Sequence, residues 1–447
     1  MTTIVWFRQD LRLADNAAFA EAARRGPVVP VFILDRANTD VRAPGAASLW
    51  WLHHSLSALG ERLGGLTLRR GDPAQILPAL AREIGADAIF WNRCYEPGAV
   101  KRDAAIKADL AGRAIQARSF NGALLHEPWE IKTGGGGPFK VYTPFWRAAR
   151  ALPIAAPARA IKFELAPLPE GDQLASWGLM PRSPNWAGGW DYLWTPGEAG
   201  AARRLRKFLS DGLPGYAENR DRPAIDGTSR LSPHLHWSEI SPRQIWAATQ
   251  SAVERAPELA RDAEKFLSEI GWREFAHHLL FHFPATAQKN WRASFDAYPW
   301  RDAPADLTAW QRGQTGYPLV DAGMRELWAT GYMHNRVRMV AASFLTKHLR
   351  IDWREGEAWF WDTLLDADMA NNVAGWQWVA GSGADAAPYF RIFNPAEQAR
   401  KFDPDLTYIR KWVPELDTPA YPKPIVEHAE ARRAALAGYE RVRAAGG

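Results

Sequence analysis

Five short apolar runs open the chain, each followed by an amphipathic stretch, and this alternation restricts the first domain more than any other feature does. Thr3–Phe7, Val28–Leu34, 66–70, Ala88–Asn92 and 115–120 are rich in β-branched and aromatic residues, as buried strands are. Between them 16–25, Ala46–Leu63, 73–84 and 99–110 repeat apolar residues at helical spacing. Strands and helices alternating at this length predict an α/β domain over 1–125, a doubly wound parallel sheet with right-handed crossovers. Such sheets bind ligands at the carboxyl ends of their strands. No G-x-G-x-x-G follows the first run, and the glycines at 134–137 lack the Lys-Ser/Thr of a phosphate loop, so a Rossmann dinucleotide site is unsupported.

From 126 to 195 the chain turns rich in Pro and Gly, with PLPEGD and MPRSPNWAGGW, which reads as an interdomain linker. Helical patterns then dominate 196–447, for example over 199–209, 242–256, 263–282, 319–329 and 335–349. The second domain is expected to be nearly all α. The 55 basic and 50 acidic residues leave a net charge of +5, too modest to argue for nucleic acid by itself. A single cysteine, Cys94, excludes an internal disulfide and fits a reducing cytoplasm. The start, MTTIVWFRQD, has no signal pattern, and no apolar run approaches a membrane span.

Three helical segments carry polar groups where a bundle needs apolar ones. In DADMANNVAGWQW, Asp366 to Trp378, residues Asp368, Asn372 and Trp376 fall four apart on one face, with Trp378 pointing elsewhere. Asn335, Arg338 and Met339 share a face in a second segment, and Glu269, Trp272 and Arg273 in a third. An acid, an amide and an indole in one stripe suit a buried polar aromatic ligand, which needs hydrogen bonds at its edges and an apolar wall behind. Three such stripes in one half of the chain point to a shared polar pocket.

Longer motifs carry a family resemblance. IVWFRQDLR from Ile4, DGTSRLSP from Asp226, GWQWVAGSGADAAPYFRIFNP from Gly375, and WVPEL from Trp412 occur in the order seen in DNA photolyases and cryptochromes. The chain resembles that family over nearly its whole length, most closely the bacterial photolyases for cyclobutane pyrimidine dimers.

The resemblance implies a helical domain holding FAD, active as reduced FADH⁻. Tyr216, Thr228, Ser229, Arg230, Leu231, Ser232, Phe266, Arg273, Arg338, Asp366, Asp368 and Asn372 match cofactor-binding positions. Arg338 matches the arginine that pairs with Asp366, and Asn372 the residue facing flavin N5. A neutral amide there accepts a hydrogen bond from N5–H without adding charge. Trp300, Trp353 and Trp376 match the family's electron-transfer chain. Glu269, Trp272, Asn335, Met339 and Trp378 match a pocket for a flipped dimer, and Arg220, Arg336 and Arg391 its rim or DNA contacts.

A second, antenna chromophore is expected in the first domain, methenyltetrahydrofolate or deazaflavin, with Glu96 in the position of a folate-binding acid. The implied function is light-dependent repair of UV-damaged DNA by a cytoplasmic monomer without membrane contact. The alternative is a cryptochrome-like blue-light photosensor without repair activity. Signalling members carry long tails, and only about thirty residues follow Leu416, so the enzyme is favoured. Photolyases for (6–4) products place His where this chain has Asn335 and a second His at Met339, which directs the expectation to cyclobutane dimers.

Overall fold

The computed structural model describes residues 2–35, 40–386 and 390–446. Its first part is a five-stranded parallel sheet of β1 (Thr3–Phe7), β2 (Val28–Leu34), β3 (Thr67–Arg70), β4 (Ala88–Asn92) and β5 (Gln116–Phe120), in the order β3-β2-β1-β4-β5. The chain starts centrally, winds outward to β3 and returns to β4, so its direction of winding reverses between β1 and β4. The helices Ala17–Arg25, Ala46–Leu63, Pro73–Glu83 and Pro97–Gly112 make the crossovers. Local chemistry sets their starts: Asn16 caps the first through Phe19 N–H, and Asp72 caps the third ahead of a proline in its first turn.

The pleat sorts β1 into two cores. Ile4 and Trp6 pack with Val29, Val31, Ile89 and Trp91, while Val5 and Phe7 pack with Phe19, Phe32 and Phe90 on the other face. That second core runs on into the helical half. Trp50 and Trp51 share it with Trp177, Trp190, Trp194, Trp237, Tyr332 and Leu365. Trp50 meets Trp190 edge-on at 5.3 Å and Trp51 meets Trp194 at 5.6 Å. Six of the 23 tryptophans thus lie in a core that the two halves share.

The stretch read as a linker includes the helix Tyr142–Ala151, which its weak periodicity did not announce. Phe145 and Trp146 of that helix are buried against a core containing Leu205, Phe208, Phe266 and Ile270. Beyond it the chain is helical. The pattern read as one helix over 335–349 divides into an α-helix, Asn335–Ser343, and a π-helical segment, Phe344–Leu349. The pattern over 199–209 likewise ends in a π-helical segment, Phe208–Gly212. Residues 387–389 of the GWQWVAGSGADAAPYFRIFNP motif lie outside the described residues.

Arg12, fully buried, ties the sheet to the helices. Its guanidinium donates to the carbonyls of Ala14 (3.0 Å), Asp15 (2.8 Å), Gly122 (2.5 Å) and Ser238 (2.8 Å). Burial pushes Arg12 down to about 10, against the opposing charges of Asp15 and Asp10. Removing the guanidinium strands these carbonyls in the interior. Arg12→Met is expected to cost about 3–5 kcal/mol in urea unfolding; a loss below about 1 kcal/mol, the worth of an ordinary hydrogen bond, would refute this anchoring role.

Candidate functional site

The three polar stripes converge on one cavity of about 590 Å³, within the range of cofactor-sized sites. Its walls come from the helices Ala260–His282, Asn335–Ser343 and Met369–Ala380, with the loop 228–232 across one end. Tyr216, Thr228, Ser229, Arg230, Leu231, Ser232, Phe266, Arg273, Arg338, Asp366, Asp368 and Asn372 all line it. So do Arg220, Glu269, Trp272, Asn335, Arg336, Met339 and Trp378. Arg391 lines a smaller neighbouring cavity, for which Trp378 is a common wall. Although Trp378 departs from the face of Asn372 and Trp376, the C-terminal half of its helix presents both indoles to the cavity.

Pairing holds the charges in place before any ligand arrives. Arg338 grips Asp366 through two hydrogen bonds of 3.0 and 2.8 Å, and its Nε donates to the Met333 carbonyl at 2.7 Å. Arg220 pairs with Glu269, and Arg336 with Asp221 at 2.8 Å. Asp368 stands at the N-cap of its helix rather than within it, accepting from Asn371 N–H at 2.9 Å. Burial works to raise its carboxyl, but His277, 3.4 Å away, with Arg273 and His236, holds it well below the ordinary carboxylate range.

The amide nitrogen of Asn372 donates to the carbonyl and carboxylate of Glu357, at 3.1 and 2.8 Å. That leaves the amide oxygen available to the cavity as an acceptor. Glu357 is itself paired with Arg42 at 2.6 Å. Neither partner was found from the sequence, because no local spacing links them to Asn372. Tyr142 was missed for the same reason. Its ring stacks on Trp272 with centroids 3.7 Å apart and planes 8° apart.

This donor set fits FAD. The hydroxyls of Thr228, Ser229 and Ser232 with Arg230 suit phosphates at one end, and the paired Arg338, Asp366, Asp368 and Asn372 suit the edge of a polar ring at the other. Among the described residues, four buried nitrogens on the lining, Arg230 Nε, His236 Nδ1, Arg336 Nε and Trp376 Nε1, have no hydrogen-bond partner in the protein. Behind Trp376 lies an apolar core that also holds Trp353, with Trp300 packed against it, half-buried. The Trp376 ring rests on Gly356, where a Cβ would collide with it.

Glu96, set in the position of a folate-binding acid by the resemblance, is buried and lines a small polar cavity together with Gln9, His277 and Asp368. Burial, reinforced by the negative charge of Asp368, pushes its carboxyl up to about 7. The stabilisation from such a raised carboxyl is fully present below its free value of 4.5 and is lost as pH rises through about 7. Wild type should therefore lose stability relative to Glu96→Gln across that window. Melting temperatures of both proteins from pH 4 to 8 check this, and parallel curves would refute it.

Residues 3–163 match the family described as DNA photolyase, and residues 266–420 that described as FAD binding domain of DNA photolyase. A deoxyribodipyrimidine photo-lyase of Agrobacterium fabrum is 50% identical, the match covering 98% of each chain. Cryptochrome-2 of Arabidopsis thaliana is 38% identical over 93% of this chain and 70% of its own. The crystal structure of a bacterial class III photolyase from Agrobacterium tumefaciens superposes with a TM-score of 0.94 at 49% identity, covering 99% of this chain and 98% of that one. With the helical cavity and the sheet domain both accounted for, the chain belongs to the DNA photolyase and cryptochrome family.

Proposed function

We propose that this protein is a deoxyribodipyrimidine photo-lyase, which uses blue light to split cyclobutane pyrimidine dimers in DNA. The observation that carries this reading is the joining, in one cavity, of a polar region suited to FAD with a region walled by Trp272, Trp378 and Met339. When bound and reduced, FAD supplies the photoexcited electron that opens the cyclobutane ring and then recovers it. The rest falls to the protein. A dimer must leave the base stack to come near the cofactor, and the indoles of Trp272 and Trp378 give it apolar faces. Asn335 and the free oxygen of Glu269 hydrogen-bond base edges, and the charge-paired Arg220 and Arg336 stand at the rim with Arg391 beyond.

The chain Trp300, Trp353 and Trp376 passes electrons inward from a half-exposed indole to a buried one, restoring the reduced cofactor. The partner is UV-damaged DNA, and the protein works as a monomer in the cytoplasm. No described helix is long and apolar enough to cross a membrane. The antenna is methenyltetrahydrofolate or deazaflavin, with Glu96, at its small polar cavity, as the candidate folate-binding acid.

Lesion choice follows from proton donors. Asn335 and Met339 offer none where (6–4) enzymes carry His. The neighbouring His334 cannot replace them: burial pushes it down to about 4, and its Nδ1 accepts from Arg336 N–H at 3.2 Å. Two oligonucleotides, each with one defined lesion, test the reading under blue light with reduced protein. The cyclobutane dimer should disappear and the (6–4) product persist. Efficient (6–4) repair would overturn the lesion assignment, and flavin-loaded protein inert on both would favour the photosensor.

Trp376→Phe should abolish photoreduction of oxidised FAD while chemically reduced protein still repairs dimers, because the repair electron does not pass through the indoles. Absorbance during illumination, followed by a repair assay, measures both. Normal photoreduction in the variant would remove Trp376 from the chain.

A further inference from the structure

The two indoles that wall the lesion end of the cavity come from different helices, Trp272 from Ala260–His282 and Trp378 from Met369–Ala380. Neither is fully buried: Trp272 is 37% exposed and Trp378 is half-buried. Side chains so placed change rotamer unless something fixes them. One residue of the loop following Trp378 reaches both. The backbone carbonyl of Asp385 accepts from Trp378 Nε1 at 3.2 Å. Its carboxylate accepts from Tyr142 N–H at 3.1 Å. Tyr142 lies flat on Trp272, and its hydroxyl donates to the Ser268 carbonyl at 2.7 Å, on the Trp272 helix.

The loop is shaped for this task. Gly381 turns it in the left-handed region, and Gly383 N–H donates to the Gln377 carbonyl at 2.9 Å. A Cβ at Gly383 would come within 2.8 Å of Trp378 N. Asp385 itself has φ 53°, a conformation uncommon outside glycine and best tolerated by Asn and Asp. That turn directs its carbonyl to one indole and its carboxylate to the backing of the other.

We propose that Asp385 is a positioning residue that fixes the spacing of Trp272 and Trp378, through Tyr142, and so sets the preference for dimer-containing over undamaged DNA. The proposal rests on reading this cavity as a dimer pocket. Asp385 touches neither base nor cofactor in this scheme. It acts by removing the alternatives open to the two rings, so that the lesion meets a gap already formed.

Asp385→Gly is the informative variant, because glycine keeps the left-handed turn and the carbonyl while removing only the carboxylate. Losing a negative charge beside DNA strengthens binding to any duplex, so the diagnostic quantity is the affinity ratio for one duplex with and without a single cyclobutane dimer. That ratio should fall roughly tenfold in Asp385→Gly, as for contacting residues coupled by about 1.4 kcal/mol. Tyr142→Leu, which removes the stack, should lower it similarly, and the double variant should be little worse than either. Tyr142→Phe keeps the stack and should keep the ratio. FAD absorbance and melting temperature should be close to wild type throughout.

An unchanged ratio in Asp385→Gly, or losses that add fully in the double variant, would overturn the proposal. A wild type that does not distinguish the two duplexes would instead bring down the reading of the pocket, and this proposal with it.

Discussion

A single guanidinium in a dry interior sets the relation between the two halves of this molecule. Arg12 leaves the loop after β1, at the carboxyl edge of the sheet, and spends its donors on carbonyls rather than on a carboxylate. A buried cation is tolerable only when its donors are matched, so the loop, the segment after β5 and the turn at Ser238 have to arrive together. Neighbouring bonds reinforce the junction. Leu11 N–H donates to the Trp237 carbonyl at 2.9 Å, and Asp15 accepts from Ser241 and from Arg243. The segment so fastened follows directly on 228–236, which supplies one end of the cavity. The sheet thus shapes the cavity without contributing its lining.

The cavity is rich in charge yet leaves few charges unanswered. Arg338 has Asp366, Arg220 has Glu269, Arg336 has Asp221 and Asp368 has His277. These pairs are present in the free protein, so a ligand meets dipoles that are already oriented and need not reorganise. The same pairing explains why polar stripes on three helices do not destabilise the bundle.

Period-two and helical patterns made the sheet legible from sequence to within a residue or so per strand, because buried parallel strands leave a continuous apolar record. The pocket was legible because acids and amides on an expected core face are an anomaly with few explanations. What escaped depended on distance along the chain. Glu357 meets Asn372 from another helix, and Tyr142 meets Trp272 from a stretch whose prolines and glycines hid a helix. For Glu96 the surroundings were hidden: Asp368 and His277, which line the same small cavity, are encoded by no spacing near it.

If Trp353 and Trp376 carry electrons as proposed, the path depends on Gly356, a residue with no redox chemistry. It lies one turn after Trp353 in the same helix, and the ring of Trp376 occupies the space where its side chain would be. Tunnelling between aromatic rings decays exponentially with the gap, so displacing Trp376 by the width of a methyl group would alter conduction although every indole remained. A search for conducting residues confined to aromatic side chains would overlook the position at which the contact is made.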